Sequence, residues 1–243
     1  MSNPTRNRTA LIVGGTSGIG LATARLLHDR GAQVHIAGRS QDRLDAVAAS
    51  DPSLIGHRAD GADQGQVRSL AEAIGPVDWL VVALSGSEGM GPIADLDLGM
   101  LRRAFDAKFW GHIGTVQAVL PSLTPAGSVT LVSAITARTA MPGTAGLAAI
   151  NGAVEAIVRP LAAELAPIRV NAVSPGFVDT PWWSGFLAAE REAYFEHAAK
   201  QLPTRRIASA EDVAEAVAFA ATNPNLTGTI IEADGGARLV TLS

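Results

Sequence analysis

A cluster of small residues near the N-terminus has the make-up of an anion cradle. Gly14-Gly15-Thr16-Ser17-Gly18-Ile19-Gly20 follows a short apolar run at residues 10–13 and opens an Ala/Leu-rich stretch at residues 19–29. Three of the glycines answer separate needs. Gly14 permits a tight exit from a strand, Gly18 lets backbone approach a diphosphate, and Gly20 lets the next helix pack close to a sheet. Free N–H groups at the helix start then face the phosphates. The strand–turn–helix context gives the glycines their meaning. Gly14, Thr16, Ser17, Gly18, Ile19 and Gly20 are read as dinucleotide-binding. The second apolar run ends in Gly38-Arg39-Ser40. An acid there would bond a free ribose 2′-hydroxyl, whereas a guanidinium beside a small hydroxyl suits a 2′-phosphate. Arg39 and Ser40 therefore favour NADP(H) over NAD(H).

These groups need elements to position them. Apolar runs at residues 10–13, 34–37, 54–57, 77–83, 128–132, 170–173 and 229–232 read as strands, several of them apolar on both faces. Helical stretches lie between them at residues 19–29, 41–49, 64–74, 98–120, 147–165 and 210–222. Gly31, Gly75 and Pro121 sit where helices should stop. Such alternation predicts an α/β fold: one doubly wound parallel sheet with helices on both faces, Rossmann-like, spanning residues 1–243 as a single domain. Residues 181–203 fit the alternation poorly. They carry Trp182, Trp183, Phe186, Tyr194 and Phe195 after a strand's C-terminal end, where open α/β sheets bind ligands. The segment is expected to be a lid over an apolar substrate; an oligomer contact or a satellite core is the alternative.

Composition narrows the function classes. With 19 basic and 23 acidic residues the formal net charge is -4, which offers no basic footprint for nucleic acid. No apolar run is expected to reach the ~18 residues of a membrane span. The start MSNPTRNRT lacks the apolar stretch of a secretory signal, so a cytoplasmic protein without a membrane partner is expected. The chain has no cysteine, which removes disulfides, thiolate ligands and cysteine nucleophiles. His28, His35, His57, His112 and His197 are scattered, with none at metal-ligand spacing to another, so no metal site is expected.

The sequence resembles the short-chain dehydrogenase/reductase family. The glycine segment is similar to the family's T-G-x-x-x-G-x-G, with Val13 in place of the threonine. Asp60, after the third strand, matches the acid that contacts adenine. Asn171-Ala172-Val173-Ser174-Pro175-Gly176-Phe177-Val178-Asp179-Thr180 resembles N-x-V-x-P-G-x-V-x-T. The resemblance implies that Pro175, Gly176, Val178 and Thr180 flank the nicotinamide. Thr227-Gly228 and Asp234-Gly235-Gly236 match the family's terminal motif, with Ala233 for valine. The motifs run in family order from residue 10 to residue 236. The N-N-A-G element after the fourth strand is replaced by Val82-Ala83-Leu84-Ser85, where Ala83 and Ser85 are expected to meet the cofactor. The resemblance also implies a homo-oligomer, tetramer or dimer, paired through the helices at residues 98–120 and 147–165.

The acid–base half of the family pattern is absent. The family's chemistry uses Asn, Ser, Tyr and Lys. Alignment anchored on Ala153-Val154-Glu155-Ala156 places Leu147 at the tyrosine and Asn151 at the lysine. It places Ala134 at the serine, with Ser133 beside it, and Lys108 at the asparagine. The one tyrosine in the chain is Tyr194, far downstream. Leucine donates no proton and asparagine carries no charge. Losing a positioned general acid costs ~10²–10⁴ in rate. Losing an oxyanion contact costs ~10²–10³ in comparable cases.

Lys108 and Ser133 are the candidate catalytic substitutes. Burial would lower the Lys108 pKa and make it a proton donor. His112 lies one turn on and would share that face. Their structural alternatives are a solvated charge, a satisfied strand-end hydroxyl and a core histidine. Three functions follow. The first is an NADP(H)-dependent oxidoreductase with a non-standard proton path, acting on a small apolar carbonyl, imine or enone. The second is a non-catalytic NADP(H)-binding sensor or inactive partner subunit. The third is a lyase or isomerase on the same scaffold.

Overall fold

The computed structural model describes residues 7–86 and 88–240. Seven strands form one sheet in the order β3-β2-β1-β4-β5-β6-β7. They are β1 (Thr9–Val13), β2 (Gln33–Gly38), β3 (Ile55–Arg58), β4 (Val77–Val82), β5 (Leu123–Val132), β6 (Arg169–Pro175) and β7 (Ile230–Ala233). Every pairing is parallel. The strands alternate between two cores. Ala10 and Ile12 of β1 join the core that includes Leu27, Val213 and Val217, while Leu11 and Val13 join the one that includes Val67, Val116 and Val154. A strand buried on both faces has no polar side to show, which is why these runs read as continuously apolar.

Helices α1 (Gly18–Asp29), α2 (Gln41–Ser50) and α3 (Gln64–Ile74) follow the first three strands. The starts of α2 and α3 are capped by side chains. Ser40 Oγ accepts from the Arg43 amide, and Asp63 Oδ1 accepts from the Gln66 amide. A capping box of Ser209 and Asp212 opens a later helix, Ala210–Thr222.

Two expected helices prove to be composite. The stretch 98–120 is α4 (Leu98–Phe105), a wider π-helical turn at Asp106–Trp110, and α5 (Gly111–Val119). The widened turn carries Lys108, and its carbonyl accepts from His112 Nδ1 at 2.7 Å. The stretch 147–165 starts earlier, as α6 (Ala145–Ala156), and breaks at Ile157 before α7 (Val158–Glu164). Pro160 explains the break. It has no N–H for the Ala156 carbonyl, and its ring crowds that carbonyl. Together Ala145–Glu164 run for 20 residues at a hydropathy of 1.2, long and apolar enough for a membrane span by length and composition. This corrects the expectation that no such run exists. In the fold the stretch packs on the sheet through Val154 and Val158, both buried. The poorly patterned region forms a 3-10 turn at Pro181–Gly185 and α8 (Ala188–Gln201); α9 (Ala210–Thr222) precedes β7.

The chain reverses its direction of winding between β1 and β4, so the crevice above their C-terminal ends is the expected ligand position. Backbone contact fixes that crevice. A Cβ on Gly20 would lie 2.2 Å from the Gly14 carbonyl oxygen, and one on Gly14 would lie 2.6 Å from the Ala83 oxygen. Gly20→Ala is therefore expected to destabilise the fold by about 1–3 kcal/mol or more, read as a lower urea midpoint with an unchanged slope.

Candidate active site

A cavity of about 950 Å³ opens at the C-terminal ends of the central strands. The turn after β1 contributes Gly14, Ser17, Gly18, Ile19 and Gly20 to its wall. Arg39 comes from the end of β2, and Ala83 and Ser85 from the end of β4. Lys108 and Ser133 stand on the far side, and Pro175, Gly176, Val178 and Thr180 line the exit from β6. Residues far apart in sequence are thus gathered around one space. Three of the expected cofactor residues do not line this cavity. The Thr16 methyl packs against Gly38, where a Cβ would come within 2.5 Å of it. Ser40 caps α2. The Asp60 carboxylate accepts from the Ala62 amide at 3.0 Å.

The glycine turn suits a diphosphate on the chain's own geometry. Gly18 has φ +50, and a Cβ there would meet the Thr180 side chain at 3.3 Å. The cradle between the first turn of α1 and the β6 exit is therefore kept open by the missing side chain. Ser17 is the N-cap of α1, yet its side chain accepts from none of the first-turn amides. Those amides remain available to an anion. Arg43, one helical turn beyond Arg39, also reaches the cavity. Neither guanidinium pairs with a carboxylate among the described residues. The four-residue spacing was the sequence signal for Arg43, and only Arg39 was read from it.

The opposing wall is a buried polar network. Lys108 Nζ donates to the Ser133 carbonyl at 3.4 Å. Burial pushes its ammonium down from 10.5 to about 8, and the Glu155 charge opposes part of that shift. Ser133 Oγ donates to Glu155 Oε1 at 2.8 Å, so the hydroxyl proton is directed into the protein. Glu155 Oε2 accepts from Arg138 Nε at 2.9 Å, and Arg138 Nη1 reaches Glu232 Oε1 at 2.5 Å. Arg238 then joins Glu232 and Asp234. Arg138 and Glu155 are thus parts of one ion network that runs from the buried Glu155 outward to the partly exposed Arg138 and Arg238. His112 is fully buried and lies behind the cavity wall. Burial, with the Lys108 charge second, lowers it to about 4, so its ring is neutral at physiological pH.

Leu147 and Asn151 line the same cavity, with Thr136 beside them. Asn151 Nδ2 donates to Thr136 Oγ1 and to the Leu147 carbonyl, both at 2.9 Å. Nothing in the sequence singled out Thr136; only the turn after β5 carries it inward.

Residues 181–203 close the remaining side. Trp182 Nε1 donates to the Gly86 carbonyl at 3.0 Å, tying the segment to the loop after β4. Trp183 packs on Phe177, Phe186, Tyr194 and Phe195 at ring distances of 6.4, 5.3, 5.5 and 5.2 Å. Buried Leu202 and Phe177 join Ile135 and Ala237 in a small third core. The aromatic segment is therefore both a satellite core and a wall of the cavity. Tyr194 reaches that wall from α8, and burial raises its phenol above the usual 10.

A family model described as Enoyl-(Acyl carrier protein) reductase matches residues 13–238. The chain is 33% identical over 250 residues to the short-chain dehydrogenase/reductase malC of Malbranchea aurantiaca, covering 95% of this chain and 94% of the relative. It is 35% identical over 244 residues to cis-4-hydroxycyclohexanecarboxylate dehydrogenase of Sinomonas cyclohexanicum, covering 94% of this chain and 96% of that protein. A crystal structure of a small-chain dehydrogenase in complex with NADPH superposes with a TM-score of 0.81 at 35% identity, over 96% of this chain and 99% of that one. With the parallel sheet, the glycine turn and the crevice above β1 and β4, these matches establish that the chain belongs to the short-chain dehydrogenase/reductase family.

Proposed function

We propose that the protein is an NADP(H)-dependent oxidoreductase that reduces a small apolar carbonyl, imine or enone through a proton path of its own. One observation carries the reading: a single cavity holds the glycine turn on one wall and the ammonium of Lys108 on the other. Gly14, Ser17, Gly18, Ile19 and Gly20 would hold the diphosphate, and Arg39 with Arg43 the 2′-phosphate. Pro175, Gly176, Val178 and Thr180 would bound the nicotinamide. NADPH supplies the hydride when bound. Lys108 Nζ releases a proton to the substrate heteroatom, and the neutral amine left behind recovers one from solvent. Leu147 and Asn151 place no phenol or second amine beside Lys108, and the Tyr194 phenol that reaches the cavity from α8 is made a weaker acid by burial, so proton delivery is assigned to Lys108. Ser133 contributes by its carbonyl to Lys108 and by its hydroxyl to Glu155. The relatives' names support redox work, and one of them is a dehydrogenase of a hydroxycyclohexane carboxylate.

Residues 181–203 serve as a lid in this reading, with Trp182 as its latch on Gly86. An apolar pocket wall of Trp182, Trp183, Phe186 and Met141 favours an apolar substrate. Copies of the chain are expected to associate through the α4–α6 region, where Trp110 is 57% exposed. The second reading, a nucleotide-binding protein without turnover, is favoured by the apolar Leu147 on the cavity wall. A panel of carbonyl, imine and enone substrates separates the two: NADPH binding without its oxidation by any of them supports the second and overturns the first.

Replacing Arg39 and Arg43 together by Ala is expected to weaken NADPH binding about 10–100-fold while leaving NADH binding unchanged, by calorimetric titration. Lys108→Met is expected to abolish reduction and yet raise the melting temperature at pH 7. An ammonium titrating near 8 in the fold and 10.5 in the open chain disfavours folding fully below about 8. That cost fades between the two values, so the stabilisation by Met should shrink as pH rises through them. The reduction rate itself should fall as pH rises through about 8, where Lys108 loses its proton. In Glu155→Gln the opposing charge is gone, and the falling limb should move to lower pH.

A further inference from the structure

We propose that Thr136 is the hydroxyl that grips the substrate's polar atom, and that Asn151 holds it in the donating orientation. The inference rests on the oxidoreductase reading above and adds a contact to it.

Asn151 occupies the buried face of α6 and is 3% exposed. Its Nδ2 serves two acceptors, the Leu147 carbonyl and Thr136 Oγ1. A carbonyl can only accept, so the nitrogen end of the amide must face Leu147, and the side chain has no freedom to flip. The consequence falls on Thr136. Its oxygen receives a hydrogen bond from Asn151, so its own proton must go elsewhere. No group among the described residues accepts that proton, although Thr136 is buried and forms part of the cavity wall. Asn151 Oδ1 is buried with no partner as well. Two adjacent incomplete polar groups in a buried wall cost stability unless something completes them.

The neighbouring hydroxyls on this wall are committed elsewhere. Ser133 Oγ donates to Glu155, and Thr144 Oγ1 donates to the Met141 carbonyl at 2.7 Å. Thr136 alone among these three offers a proton to the cavity. What completes it must be a lone pair, such as a carbonyl oxygen or imine nitrogen. The hydrogen bond polarises the double bond without proton transfer, and the proton that ends on the product still comes from Lys108. Asn151 acts through Thr136 and is a positioning residue.

The test uses the full chain without nucleotide and 4-(dimethylamino)cinnamaldehyde as probe, an aldehyde whose absorption moves to longer wavelength when its oxygen accepts a hydrogen bond. Binding is followed separately by quenching of the Trp182 and Trp183 fluorescence. The bound probe should be red-shifted in the wild type and in Thr136→Ser. Thr136→Val, equal in shape, should bind the probe and lose the shift. Asn151→Asp should also lose it, because a carboxylate would capture the Thr136 proton while keeping the pair hydrogen-bonded. With any carbonyl substrate that is turned over, Thr136→Val should lower kcat/KM by ~10²–10³, with Thr136→Ser restoring most of it. A red shift that survives in Thr136→Val overturns the inference. So does a wild type that fails to bind the probe or binds it unshifted. Failure of the underlying reading shows differently, as absent NADPH binding or as bound NADPH that no substrate oxidises.

Discussion

The structure depends on how closely backbone approaches backbone at the end of β1. Gly14 meets Ala83, Gly20 meets Gly14, and no side chain fits at either contact. This sets α1 against the switch point of the sheet and fixes where its open first turn lies. Everything opposite is then placed by register. β4 pairs with β1 from Ala10 against Trp79 to Val13 against Val82, and β5 and β6 continue that sequence of pairings. Ser133 and Pro175 reach the cavity because they stand at the ends of those paired strands. A one-residue slip would turn each of them into a core.

The wall facing the glycine turn is an arrangement of charges that burial makes expensive. Lys108 lies in a widened π-helical turn, a distortion frequent at functional sites. Its counter-charge, Glu155, does not touch it but is held behind Ser133 by Arg138. Glu155 opposes the fall in the Lys108 pKa without forming an ion pair. A direct pair would favour the charged amine and weaken it as a donor. Separation through Ser133 leaves the amine close to physiological pH. Arg138, Glu232, Arg238 and Asp234 extend the network to the last strand and the turn after it. The C-terminal region thus helps to hold the site although no residue of it needs to touch the substrate.

The family relationship and the departures from its chemistry are separate physical matters. The glycines at backbone contacts, the open amides at the start of α1 and the small residues at strand ends meet demands of the fold and of an anion cradle. Leu147 and Asn151, which the motif reading sets against the family's tyrosine and lysine, lie in the same cavity. Asn151 bonds Thr136 and the carbonyl one turn back. The aromatic segment similarly combines two roles. Trp183 anchors it to the third core, while Trp182 fastens it to the glycine-rich loop at the cavity mouth.

The sequence by itself determined the layered α/β fold, because strands apolar on both faces must lie inside a parallel sheet. It also determined the glycine turn, since only residues without Cβ tolerate those contacts and the φ of Gly14. Both follow from local chemistry at short range. Helix breaks were less legible: Pro160 carried the signal for one, whereas the widened turn at Lys108 left none in the periodicity. The spacing of Arg39 and Arg43 carried a signal for their shared place in the cavity, whereas three-dimensional packing alone decided that Asp60 turns back onto its own loop. It likewise decided that the Ser133 proton goes to Glu155, and that Thr136 meets Asn151 across 15 residues of chain. The reason is physical. Hydrogen-bond direction depends on which acceptors surround a proton, and that set is assembled only when β5, β6 and α6 pack together.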